Sequence, residues 1–403
     1  MWSYFKVECK QFFMDKKNLS IYILLAFVAI FYAFKIAPAY DPIEKADYDE
    51  IEARYLTRQE FLDNVDVEDL HNSHPSVSYA YYIYSEVNPR DKMRLDALDN
   101  GDLQKYAEVT SEWYILTNAF TYKNESISYN ARYFTENNRF ANDDAFFAYL
   151  DQYVRYDAYA KAEYELSMEA FEQRTALQTL ERLVKENLPI LLIVCALLLS
   201  IDIVTKDRRH PTVLKGFPIS DWKRLLVKMV VSLIGSIALF IPLFIGFIII
   251  GMQFGFGHFQ LPSPVYAPHL NWMQDGKFEM MTLGAFLGQS VALILVWFIV
   301  VINAVLLCSV LFRQEMVNFA VVLLLLFGEK FYASRGVGYF WDIHNYPTSY
   351  IEVGKIVSKY QNYYYTSDQL DFRLGLLLLV GLAVILLILT LIVAVNKRFK
   401  LVK

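Results

Sequence analysis

Long apolar runs alternate with polar segments along the chain, and their lengths predict an all-α polytopic membrane protein with six transmembrane helices. The expected spans are residues 20–37, 187–204, 225–251, 280–311, 316–332 and 374–395. The fourth is longer than one crossing needs, so it should tilt or protrude. The fifth is short, because its apolar run ends at Phe327, before Gly328, Glu329 and Lys330. Residues 1–19 set Trp2, Phe5, Phe12 and Met14 among lysines, the pattern of a helix lying in the headgroup region. A basic flank on the first span is the plainer reading of the same residues.

The largest polar segment, residues 38–186, separates the first two spans. It holds Pro38, Pro42, Pro75, Pro89 and Gly101, and then neither Gly nor Pro recurs until Pro189. So long a stretch without turn formers argues against a β-sandwich and for a mainly helical domain. From Asp143 onward, Phe146, Leu150, Tyr153, Ala160, Tyr164 and Met168 recur mostly at three- and four-residue steps, and the pattern continues to Val184. This predicts a long amphipathic helix that folds back near residues 137–144 and runs directly into the second span. The remaining connections are a loop over 205–224, a loop over 252–279, a tight turn over 312–315, a second polar stretch over 333–373 and a tail over 396–403.

Charge adds an orientation. Residues 38–186 carry 30 Asp and Glu against 15 Lys and Arg, while the rest of the chain carries 13 against 23. Basic connections favour the cytoplasmic side. With six spans, the N-terminal lysines, the loop 205–224, Arg313 and the tail share that side, so both termini are expected in the cytoplasm. The acidic domain and the loop 252–279 then lie outside. The first apolar run follows Lys6, Lys10, Lys16 and Lys17 and lacks a good cleavage pattern, so it is expected to be retained as a span. Cys9, Cys195 and Cys308 all fall outside the acidic domain, which therefore relies on packing, as suits a bacterial cell membrane. Tyr79, Tyr81, Tyr82 and Tyr84 beside Glu86 suggest a surface for cationic peptides; packed tyrosines and acids solvated to keep an exported domain soluble are the favoured account of the same residues.

Little in the chain points to catalysis. There is no G-x-x-x-x-G-K-[ST] loop and no H-E-x-x-H, and no catalytic residues are expected. His71 and His74 are neighbours without a supporting Cys or carboxylate pattern, so no metal site is expected. Polar residues deep in the spans are few: Ser232, Ser236, Gln289, Ser290 and Asn303 are candidates to line a cavity, or simply pack helices. The densest basic cluster between two spans is the loop 205–224. It runs through Asp207, Arg208, Arg209, His210 and Pro211 to Leu214, Phe217, Pro218, Ser220, Trp222 and Lys223.

Two segments resemble the ABC-2 type permeases, the membrane subunits of a large exporter class. In the loop, Asp207, Arg208, Arg209, Thr212, Leu214, Phe217, Pro218, Ile219, Ser220 and Lys228 match the family pattern. The chain departs from it at His210–Pro211, where a glycine is usual, and at Asp221, where an arginine often stands. The second segment is Tyr346–Lys359, with Pro347, Ser349, Tyr350, Val353, Gly354 and Ile356. The large domain between the first two spans is similar to that of sodium- and drug-export-like members, and the short fifth span fits the family's re-entrant helices before the sixth.

The resemblance implies an exporter permease for a peptide, lipid-linked or drug-like substrate, with no cofactor of its own. Two copies of a separate ATPase subunit would bind ATP and Mg, and a second permease, identical or related, would complete the bilayer assembly; no nucleic acid is implied. Lacking a P-loop, the chain needs such a motor. Arg208, Arg209, Thr212, Leu214, Phe217, Pro218, Ser220, Trp222 and Lys223 are the expected contact, with Thr212–Phe217 long enough for one or two helical turns ended by Pro218. Leu214 and Phe217 would fill an apolar groove, and the basic residues would steer. The competing reading is a membrane sensor or immunity protein whose outer domain binds a cationic peptide.

Overall fold

A computed structural model describes residues 1–43, 45–122, 129–134, 139–206, 219–266, 279–331, 342–365 and 367–395. The first helix, α1 (Trp2–Met14), buries Tyr4, Glu8 and Phe12, a four-residue spacing that makes one stripe. Asp15 is extended and caps α2 (Lys16–Phe31), accepting from the Lys17 backbone N–H at 2.8 Å. Asn18 donates to the Phe12 carbonyl at 2.9 Å, so a carbonyl left over at the end of α1 is satisfied. A π-helical turn, Tyr32–Ile36, extends α2.

The acidic domain is built from α3 (Tyr48–Asn64), α4 (Pro75–Asp99), α5 (Leu103–Thr121) and α6 (Ala141–Ala160). Asp47 and Asp102 cap α3 and α5, accepting from backbone N–H groups three residues on, at 3.3 Å and 2.9 Å. Pro75 starts α4, where its missing N–H costs nothing, whereas Pro89 sits inside the helix and does not end it. Gly101 (φ 67°) supplies the left-handed turn between α4 and α5. Trp113, Tyr114 and Tyr149 meet edge-on at 5.2 and 5.4 Å in the core.

Asp91 is fully buried there and accepts from Arg54, Arg58 and Arg94 at 2.9, 3.0 and 3.1 Å. Burial pushes its carboxyl up, but the three guanidiniums outweigh burial and hold it below the usual carboxylate range. Tyr79 donates to the Phe120 carbonyl at 3.2 Å and Tyr84 meets Phe61 edge-on at 5.4 Å, so both are packing residues; Tyr82 is exposed.

The continuous helix expected from Asp143 into the second span is not formed. After α6 ends at Ala160, α7 (Met168–Phe171) and α8 (Ala176–Lys185) start afresh. Ser167 and Thr175 supply the new N-caps, accepting from Ala170 N–H at 3.3 Å and Gln178 N–H at 3.4 Å, with Gln173 left-handed (φ 54°) between them. Next comes α9 (Leu188–Ser200), bent 69° from the α7–α8 segment, with Pro189 in its first turn.

Then follow α10 (Asp221–Ile237) and α11 (Phe240–Phe254). At Gly235 a Cβ would overlap the Phe12 ring, so the glycine lets α1 lie against α10. A small hairpin comes next, a departure from a purely helical reading: β1 (Pro262–Val265) pairs antiparallel with β2 (Glu279–Thr282), Pro262 opposite Thr282. Tyr266 turns its N–H away from β2, to the Ser358 carbonyl at 2.9 Å. By strand alternation, Pro262 and Pro264 leave their missing N–H groups on that same edge, where no ladder bond is lost.

At the centre lies α12 (Leu283–Phe312), whose 30 residues rise about 45 Å and exceed a hydrocarbon core of about 30 Å. Arg313 (φ 62°) turns the chain sharply into α13 (Glu315–Leu326). Short helices α14 (Val353–Val357) and α15 (Tyr360–Tyr365) precede α16 (Phe372–Val395). By length and composition, Lys16–Ile36, Asp221–Phe254, Leu283–Phe312 and Phe372–Val395 can cross a membrane, and the bent α7–α9 pair makes up to five crossings. The helix of the expected fifth span, α13, has 12 residues and rises only about 18 Å, and the chain then passes into a 3₁₀ turn, Gly328–Phe331.

Candidate functional site at the base of the bundle

One end of the bundle, opposite the acidic domain, gathers α1, α2, the end of α9, the start of α10 and the α12–α13 turn. Both roots of the basic loop emerge there. On the α9 side, Asp202 pairs with Lys17 at 2.6 Å and with Lys206 at 2.9 Å, and Lys206 also pairs with Asp15. Lys17 donates to the Leu198 carbonyl at 2.7 Å as well, so its charge sits at the carbonyl end of α9. Thr205 donates to Glu315 at 2.6 Å, tying the same root to α13.

On the α10 side, Ser220 occupies the N-cap position without a side-chain cap bond, and Asp221 stands in the first turn. Arg224 is buried and reaches Asp221 at 3.4 Å. Trp222 is half-exposed, with the Lys223 ammonium 5.3 Å from its ring centroid. One turn deeper, Lys228 is 1% exposed and donates to both Glu8 oxygens at 2.9 and 3.0 Å. An ammonium inside an apolar helix requires a counter-ion, and the stripe of α1 provides it. Asn318 closes the neighbouring turn, donating to Ser309 at 2.8 Å.

Of the expected contact residues, Ser220, Trp222 and Lys223 are placed as above; Arg208, Arg209, Thr212, Leu214, Phe217 and Pro218 lie outside the described residues. The candidate cavity residues do not act as a group: among the described residues no hydrogen bond between their side chains joins any two of them. Ser236 donates to the Ser232 carbonyl at 2.9 Å, a back-bond close to the break at Ala238–Leu239, and Ser232 is buried. Asn303 donates to the Ile299 carbonyl at 2.9 Å, and Ser290 is buried on the same helix. Gln289 lines a polar cavity of about 420 Å³ at the acidic-domain end, with Glu279, Lys359, Asp371 and Arg373.

Sequence reasoning missed the acids and lysines that hold the roots: Glu8, Asp15, Lys17, Asp202, Lys206 and Glu315. The available signal was the density of charge at helix ends and a lysine within an apolar run. His74 caps α4 through its ring, its Nδ1 accepting from Ser76 N–H at 3.3 Å. Among the described residues, no group of three His, Cys, Asp or Glu is placed to hold a metal.

At the other end, a second polar cluster seats the acidic domain on the spans. Glu181 of α8 accepts from Lys185 at 2.7 Å and from Ser263 of β1 at 2.6 Å, with Arg155 of α6 at 3.8 Å. Arg155 also donates to the Pro262 carbonyl at 2.9 Å. The first free N–H groups of α8, on Ala176 and Leu177, donate to the Gly255 and Phe256 carbonyls at 3.0 and 3.1 Å. Asp144 accepts from Tyr363 at 2.7 Å. The acidic domain is thus joined to α11, the hairpin and α15 by hydrogen bonds as well as packing. Comparisons with family models, with curated proteins and with solved structures each return no match.

Proposed function

We propose that the chain is the membrane subunit of an ATP-driven exporter of the ABC-2 kind, with six crossings, both termini in the cytoplasm and residues 38–186 outside a bacterial cell. The observation that carries this reading is the convergence at the base: ion pairs and hydrogen bonds gather α1, α2, α9, α10 and α13 around both roots of the basic loop. A push on residues 207–218 by a separate ATPase would reach α9 through Thr205 and Lys206, and α10 through Ser220 and Asp221. Leu214 and Phe217 would seat in that partner, and its two copies would hold ATP and Mg. Peptides, lipid-linked molecules and drug-like compounds are the substrate classes, and a second permease completes the pore.

The test is purification of the intact chain with its associated proteins from native membranes, followed by reconstitution. A P-loop ATPase is expected to co-purify, with vanadate-sensitive hydrolysis. Leu214→Asp and Phe217→Asp should leave expression intact and lower ATP-driven transport more than tenfold, the loss of about 1.4 kcal/mol or more of contact free energy. Absence of any nucleotide-binding partner would remove the reading and favour a sensor.

A further inference from the structure

A lateral apolar groove lies on the acidic-domain half of the bundle, between α2, α8 and α11. It encloses about 120 Å³ and is lined by Ala29, Tyr32, Leu180, Leu183, Gly246 and Phe247 among others, almost without polar surface. Gly246 sets its depth, since a Cβ there would approach the Ala29 carbonyl oxygen to 2.9 Å. Ala33, Ala37, Ala176 and Ile250 pack together on the same three elements.

Two cations belong to elements that line this groove, Arg182 to α8 and Lys35 to the π-helical turn that extends α2. Arg182 lies between Leu180 and Leu183 in sequence, 3.6 Å from the Tyr40 ring centroid, and donates to the Gln173 carbonyl at 3.1 Å. Lys35 follows Tyr32 by three residues and is exposed. Among the described residues neither forms an ion pair, whereas Lys185 on the same helix as Arg182 is paired with Glu181 at 2.7 Å.

We infer that this groove holds an acyl chain of an anionic phospholipid, with Arg182 and Lys35 at its phosphate. The groove opens between two helices of membrane-crossing length, so hydrocarbon chains surround it. Its lining of aliphatic and aromatic side chains, almost without polar surface, suits a hydrocarbon chain lying along it. The unpaired cations favour an anionic head over a zwitterionic one. The inference stands independently of the transport reading, because it needs no ATPase and no substrate.

The intact chain is reconstituted in phosphatidylcholine vesicles with a minor fraction of phosphatidylglycerol bearing a photoactivatable diazirine in its chain. Cross-linked residues are mapped by mass spectrometry, and a matched phosphatidylcholine probe serves as reference. Labelling is expected on Leu180, Leu183 or Phe247, with phosphatidylglycerol preferred by about fivefold for each cation, or ~1 kcal/mol at tenfold per 1.4 kcal/mol. Arg182→Gln should lower that preference about fivefold and leave the chain labelling in place. Leu183→Trp, which fills the groove, should abolish the labelling; Leu243→Phe is a second filler if that variant fails to fold. Equal labelling by both probes would overturn the anionic head. Labelling no denser than on exposed Leu377 and Ile385 of α16 would overturn the groove itself.

Discussion

The two polar clusters at opposite ends of the bundle use the same residue types and differ in burial. At the acidic-domain end, Arg155 and Glu181 are 3% and 4% exposed, and their partners lie on α6, α8 and β1. At the base, Lys17 and Lys206 are 35% and 40% exposed; Asp202 pairs with both of them, and Asp15 pairs with Lys206. Water screens the second set and permits exchange of partners, while desolvation makes the first set all-or-none. The acidic domain is therefore fixed to the spans, and the roots of the basic loop can shift by re-pairing. Under the proposed function that contrast would be the useful arrangement: adjustable where an ATPase would push, rigid where the motion would be handed on.

Removing one member of the buried set should break this contrast most strongly. Glu181→Leu leaves Arg155 with Asp151 at 3.5 Å as its remaining carboxylate and is expected to destabilise the chain by about 3 kcal/mol, the lower end for a broken buried pair. Thermal unfolding in detergent measures it; a loss below about 1 kcal/mol would mean that the cluster behaves like a surface pair. The Glu8–Lys228 pair separates burial from position, because it belongs to the base and yet is buried. Lys228→Met alone should cost about 2–3 kcal/mol, and the Glu8→Leu/Lys228→Met double variant should return to within about 1 kcal/mol of the parent. Equal losses in single and double variants would show that packing of α1, rather than the unpaired charge, sets the cost.

Most of the crossing helices were legible because a single property, apolar length, decides them. α12 and α16 fall within a few residues of the apolar runs 280–311 and 374–395. Local capping decided what was missed. The unbroken apolar rhythm after Asp143 hides two helix starts at Ser167 and Thr175, whose side chains compete for the backbone more strongly than the rhythm resists. The hairpin was illegible for a different reason: Pro262 and Pro264 argue against a strand unless it is an edge, and its partner lies beyond an intervening loop. Pairings such as Glu8 with Lys228 leave no local trace of who the partner is. A lysine within an apolar run announces that a counter-ion exists but not which helix carries it. Many of the loop residues that carry the family resemblance, Asp207 to Pro218, stand outside the described part of the chain, so the role proposed for them is argued from the roots beside them.

The smallest expected effect tests the adjustable half of the comparison. In Asp202→Asn, Lys17 keeps the Leu198 carbonyl at 2.7 Å and Lys206 keeps Asp15, so the unfolding free energy should fall by less than about 1 kcal/mol. The root should loosen nonetheless, since Asp202 is the one carboxylate described as pairing with both lysines. Trypsin cleavage after Lys206 in the intact, detergent-solubilised chain reads this directly, and a rise of about two- to fivefold is expected, the equivalent of ~0.4–1 kcal/mol in local opening. A similar rise in Glu181→Leu would erase the distinction, because the buried cluster would then be loosening the base from the far end of the bundle. An unchanged rate in Asp202→Asn would locate the rooting of the loop in Thr205 and Glu315 instead, where the 2.6 Å hydrogen bond ties it to α13.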